Sequence, residues 1–299
     1  MTLRVPLCYQ SFTSDDKCVA QSTAFKENET TRNLQSFPRL IARSTVLSTL
    51  LFLSSGVAAD QSELPSKSDL AVITTRGRML AEYDAAVSQA YDALRPLSPT
   101  KELVTRYIAR KTDNGWVVDF GRVNEARDSF LVAFVATQGS TPKGFTVKTQ
   151  NPPTPQQGFD LQAAIAIETC MGDFGRTQIP YHVFVLPSGQ NQLYVYLLPA
   201  QTKERVYIYG GDVRYQVSSD GLTIVEKHPM HKSILQSDSK AIPQGTKLAG
   251  GFHVHVLSEV PEDSDVFMVL ARKPAVPETV GSKGHAYQIA LDGTITVMK

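Results

Sequence analysis

The chain has 299 residues, a formal charge of +1 and 42% hydrophobic content, an ordinary globular composition with enough length for one large core or two small ones. No basic excess points to nucleic acid and no acidic block to a solvating tail, so charge selects no partner.

Near the N-terminus, Arg39 and Arg43 precede STVLSTLLFLSSGVAA, which is apolar from Val46 to Leu53 and has Val57 and Ala59 where a signal peptidase reads. A charged lead, a short apolar run and a small-x-small site predict a secretory signal peptide removed near Ala59. The run is shorter than the roughly 20 residues of a spanning helix, so no transmembrane segment is expected in the mature chain. Residues 1–38 are polar and patternless, and read as a long leader or as a start assigned too far upstream. Cys8 and Cys18 precede the cut. Cys170 is then alone, which excludes an internal disulfide in the mature chain. That chain carries 24 Lys plus Arg against 25 Asp plus Glu, and the expectation is an exported, periplasmic or secreted protein held by its core.

Three parts are expected beyond residue 59: 60–150, a Pro-rich linker or loop at 151–158, and 159–299. Between Thr75 and Leu94, the positions Leu80, Tyr83, Val87, Tyr91 and Leu94 mark one helical face narrow enough to pack on a sheet, ended by Arg95–Pro96. LVTRYIARK and WVVDFGRV read as a hairpin around Asn114–Gly115, and SFLVAFVAT as a strand covered on both faces. GFTVKT reads as a further strand, and NPPTPQQG as irregular. FDLQAAIAIETCMG predicts a second helix, capped by Asp160 and ended at Gly172, with Cys170 as a small buried side chain. The remainder reads as a β-meander: YHVFVLP, QLYVYLLP, RVYIYGG, DVRYQVS, LTIVEK, FHVHVL, DVFMVLARKP, AYQIAL and TITVMK. The predicted class is α+β, predominantly antiparallel sheet in a sandwich or partly open barrel, with two or so packed helices.

Two histidines two apart on a strand point to one side, so His253 and His255 can aim both imidazoles at a single ion. With Glu259 they spell H-x-H-x3-E, which over these seven residues resembles the first metal-binding motif of the cupins, small β-barrel proteins that bind iron, manganese or other metals. The resemblance implies His253, His255 and Glu259 as ligands, and His285 is a candidate third imidazole. The chain departs from the pattern at Lys247 and Val266, where the motif has glycines, and PETVGSKGH does not reproduce the second motif. The H-x-H-P, Ser, Asp pattern of the JAMM metalloproteases is not met, since Val256 replaces the proline and Ser264 adjoins Asp265. The plainer reading, which the alternation favours, packs Phe252, Val254 and Val256 on the core and leaves the histidines facing solvent or a loop. His228 and His231 flank Pro229 and would need a turn to reach the first pair. PEDSD reads as a solvated turn lacking the spacing of a calcium loop.

No nucleophile elbow, phosphate loop or dinucleotide fingerprint occurs. Tyr194 and Tyr196 share a face of one strand, and Tyr207 and Tyr209 a face of the next. Paired, they would form a ladder able to bind a glycan, peptide or protein. The sequence therefore predicts a non-catalytic envelope binding or interaction protein, with an unidentified envelope ligand or protein as partner. The alternative is a metal-dependent enzyme, cupin-like or a hydrolase, using a divalent transition metal on His253, His255 and Glu259.

Overall fold

The computed structural model describes residues 64–140, 144–189, 191–203, 206–238 and 248–298, all within one structural unit. The leader, signal peptide and cut site expected for 1–59 lie outside the described residues. Helix α1 (Lys67–Leu94) starts at a capping box, in which the Ser66 hydroxyl accepts from the Asp69 N–H and the Asp69 carboxylate accepts from the Ser66 N–H. It ends in a 3-10 turn, Arg95–Leu97, where Pro96 denies the helix a donor. Strands β1 (Arg106–Thr112), β2 (Gly115–Val123), β3 (Phe130–Gln138) and β4 (Phe145–Gln156) form one antiparallel sheet in chain order. A second sheet runs β5 (Tyr181–Gly189), β6 (Gln192–Pro199), β8 (Val213–Ser218), β9 (Ile224–Pro229). Between its strands, β7 (Val206–Tyr209) pairs instead with β10 (Leu235–Asp238). The last sheet runs β11 (Gly251–Val254), β12 (Glu278–Ser282), β13 (His285–Ile289), β14 (Ile295–Val297), with β11 and β12 parallel because helix α3 (Asp263–Ala271) connects them. The fold is α+β with dominant antiparallel sheet, and the described sheets do not close into a barrel of the cupin kind.

Several expectations need correction. The segment 151–158 is mostly strand: β4 runs to Gln156, with Leu131 opposite Pro155. An edge strand tolerates proline because its outward N–H needs no partner, and the register shift between Val132 and Phe134 accommodates the rest. DVFMVLARKP is not a strand but α3 and its exit. An apolar run of this length has no decisive period, and the acidic residues ahead of it cap a helix. Helix α2 (Phe159–Phe174) starts at Gly158 and passes through Gly172 to end at Gly175. The tyrosine ladder does not form. β8 takes the place beside β6, leaving Tyr194 and Tyr196 in one sheet and Tyr207 and Tyr209 in the β7–β10 pair.

The first two sheets are covered on both faces. Val118, Phe120, Phe134, Phe184 and Leu198 pack with Leu80, Tyr83 and Val87 of α1. On the other face, Ile108, Phe130, Val185, Val195 and Tyr215 pack with Ala163 and Ile167 of α2, beside the buried Cys170. The third sheet reaches α1 through α3, with Val266 and Val269 between Leu70 and Ile73 on one side and Val280, Tyr287 and Ile289 on the other. At that crossing a β-carbon on Gly77 would stand 2.4 Å from Val266 Cβ, so only glycine lets α3 approach this closely. Gly77→Ala is expected to cost about 1–3 kcal/mol by overpacking. Gly172→Ala, exposed inside α2 with nothing within 4 Å of the added carbon, should stabilise by about 0.5–1 kcal/mol. Urea denaturation of both variants checks the contrast.

Asp160 does not cap α2 but turns its carboxylate to Arg110, 3.0 Å from Nε, beside Asp119. Burial, then the Asp119 charge, push its pKa from 3.8 up to about 6, against the pull of Arg110. The folded chain thus holds this proton more tightly than the unfolded one, and the stability it contributes is lost as pH rises through the folded value. Relative to the parent, Asp160→Asn should gain in Tm between about pH 4 and about pH 7.5. A pH-independent difference would show Asp160 ionised throughout.

Candidate metal centre

His253 of β11 and His255, just past its end, face inward. His253 is 9% exposed and His255 5%, while Phe252, Val254 and Val256 are 68%, 56% and 72% exposed. This inverts the arrangement the alternation favours. The inward side of β11 meets the first turn of α3 and the residues that follow β9. Met230 is tied there by its N–H to the Asp212 carbonyl, 3.1 Å, which fixes the neighbouring His231. The four residues His231, His253, His255 and Asp265 each offer one ligand atom, all within 4.8 Å of one another, and they are the single such group among the described residues.

The contacts are tight. His255 Nε2 lies 2.9 Å from His231 Nε2 and 3.1 Å from His253 Nε2. Asp265 Oδ1 lies 3.2 Å from His231 Nε2 and 3.0 Å from His253 Nε2, and its Oδ2 lies 3.1 Å from His255 Nε2. Ligands about 2.0–2.1 Å from a tetrahedral ion stand about 3.3–3.4 Å apart, so this spacing suits one central cation.

Each imidazole is held from behind. His231 Nδ1 faces Asp212 Oδ1 at 2.8 Å, His253 Nδ1 faces Glu278 Oε1 at 3.0 Å, and His255 Nδ1 faces the Val260 carbonyl at 3.0 Å. These acceptors require Nδ1–H donors, so Nε2 of each ring points into the cluster, and it is the atom that would offer a lone pair to a metal once the ring is neutral. Glu278 also accepts from Arg272 Nη1 at 2.7 Å, and Gly251 is needed beside it, since a β-carbon there would stand 1.9 Å from the Glu278 carboxylate. The electrostatics favour positive charge. Burial lowers the His231 pKa, but hydrogen bonds to Asp212 and Asp265 prevail and lift it to about 11. His253 is likewise lifted to about 9 by Asp265 and Glu278, and the three imidazoles hold the Asp265 carboxyl well below its ordinary range despite burial.

Of the sequence candidates, His253 and His255 are brought together, and Glu259 and His285 are not part of the group. Glu259 is exposed and contributes its carbonyl, which accepts from Ser282 Oγ at 2.8 Å and Tyr287 OH at 3.0 Å. His285 begins β13, its ring 6.4 Å from that of Tyr287. His231 joins from the distant pair, whereas His228 contacts Glu262 at 3.1 Å. PEDSD is no solvated turn: Glu262, Asp263, Ser264 and Asp265 are all buried, and Asp265 accepts the Glu262 N–H at 2.7 Å as it caps α3. The spacing of Glu262 and Asp265 ahead of an apolar run was the available signal for that helix start. Nothing local marked Asp212 or Glu278.

Three of the four tyrosines are hydrogen-bonded within the fold. Tyr196 OH donates to Asp263 at 2.9 Å, Tyr207 OH to the Lys273 carbonyl, and Tyr209 OH accepts from Arg272 at 2.9 Å. Asp263, with no side-chain exposure, also accepts from Arg76 at 2.9 Å and Arg214 at 2.8 Å. Comparison with known proteins finds no match, neither a family model nor a curated protein nor a solved structure. Asp263→Asn, which leaves both guanidinium groups facing a neutral amide, should destabilise by about 3–5 kcal/mol in urea denaturation. A loss below about 1 kcal/mol would place that pair in the surface class.

Proposed function

We propose that the chain is an exported binding protein in which His231, His253, His255 and Asp265 hold one divalent transition metal as a closed, non-catalytic centre. One observation carries the reading: three Nε2 atoms and a carboxylate converge within 4.8 Å while every Nδ1 is engaged outward. Three imidazoles and one carboxylate, without thiolate, suit zinc best among the common ions, with cobalt and nickel as substitutes. Closure supports a structural role, since the ligand side chains are at most 13% exposed and the adjoining cavity of about 10 Å³ has room for a single water. With one cysteine beyond residue 59, a metal is also the cross-link open to an exported chain of this composition. The enzyme reading has less support, because its proposed base, Glu259, is exposed and lies outside the ligand group.

Elemental analysis of the full chain, purified without tag or chelator, should find about one zinc-type ion per molecule. Chelation should lower Tm by about 5–10 °C, the size expected when a ligand at a hundredfold excess over Kd contributes about 2.7 kcal/mol. His255→Ala should abolish both the metal and the shift, and Glu278→Gln should weaken affinity by about 10–100-fold. Metal-free protein with an unchanged Tm on adding zinc would sink the reading.

A further inference from the structure

A cleft of about 760 Å³ opens between α1, the β1–β2 hairpin, the start of α2 and the β5–β6 hairpin. Small-molecule sites typically occupy about 300–1,000 Å³. Val72 and Met79 of α1, Trp116, Phe159 and Leu186 give it apolar walls. Among the described residues, the charged side chains lining it are all cations: Arg76, Arg110 and Lys111. They turn outward, with side-chain exposures of 24%, 39% and 47%.

Their carboxylate partners are not part of the lining. Asp263, Asp119 and Asp160 stand behind the guanidinium groups at 0%, 4% and 5% exposure, and Glu82 holds Lys111 from the rim. The buried acids hold the two arginines in place, and both guanidinium-bearing side chains line the cavity. The ring of Tyr194 adds to this, with the Arg76 guanidinium 5.8 Å from its centroid. None of these lining residues belongs to the metal centre, so the cleft stands or falls independently of it.

We propose that this cleft binds a small amphipathic anion, with an aliphatic or aromatic body against Trp116, Met79 and Leu186 and one carboxylate, sulfonate or phosphate head at Arg110 and Lys111. Cations on an apolar wall select such a molecule over its neutral or cationic counterpart by charge-assisted hydrogen bonding to the head.

Trp116 is the single tryptophan of the chain, so its fluorescence reports this cleft alone. The full chain is titrated with decanoate, decanol and decyltrimethylammonium below their micellar concentrations. Saturable change with decanoate, and binding of decanol and the ammonium at least about tenfold weaker, equivalent to roughly 1.4 kcal/mol, is the expected result. Val72→Glu and Lys111→Gln alter exposed side chains and should leave Tm unchanged while weakening decanoate about tenfold. Equal affinity for decanoate and decanol overturns the anionic class. Decanoate binding that neither variant alters overturns the location. No saturable change with any probe overturns the proposal.

Discussion

The first turn of α3 carries Glu262, Asp263, Ser264 and Asp265 in succession, none more than 5% exposed, and the surrounding structure is arranged to meet those charges. A buried carboxylate left without partners costs several kcal/mol. Here each acid has its own: Glu262 has His228, Asp263 has Arg76, Arg214 and Tyr196, and Asp265 has three imidazoles. These partners come from α1, β6, β8, β9, β11 and the residues just after β9. The positive end of the helix dipole adds to the attraction. One helix start therefore ties α1, the sheet containing β6, β8 and β9, and strand β11 to one another, which no backbone ladder does, and the glycine at position 77 lets that helix lie close enough for the ties to close.

The two candidate sites divide the molecule by chemistry. At the candidate metal centre, polar groups converge inward beside a cavity of only about 10 Å³, and burial strengthens the electrostatic attraction among them. At the cleft, acids lie behind and cations in front, over an apolar wall open to solvent. Asp263 and Arg76 belong to the boundary between them, for the carboxylate anchors the helix that carries Asp265, and the guanidinium it grips lines the cleft.

The sequence was most legible where local rules act alone. The apolar spacing of α1, the Asp-Asn-Gly turn between β1 and β2, and the alternation of β5, β6 and β8 depend on neighbours a few residues away. It misled where tertiary context overrides them. The prolines of β4 look irregular until the strand is known to be an edge, and DVFMVLA looks like a strand until its acidic cap is seen to be buried. Within the candidate metal centre, His253 and His255 were legible because strand geometry alone puts them on one side. His231 and Asp265 were not: the turn after β9, tied through Met230 to Asp212, places the first, and the packing of α3 against α1 places the second. Asp212 and Glu278, which orient the rings, carry no local signature.

Strand β11 is turned inside out relative to its own composition. A shift of one residue in its pairing with β12 would bury Phe252, Val254 and Val256 and expel both histidines. Fully burying such a side chain is worth about 1.5–3 kcal/mol, and these three are 68%, 56% and 72% exposed, so the observed register forgoes roughly 3–6 kcal/mol of apolar transfer. The polar ring around His253 and His255 must exceed that sum for this register to be the ground state. Its acids and imidazoles therefore act as a register key: they decide which face of FHVHV is the inside, and a chain stripped of them would have every hydrophobic reason to slip.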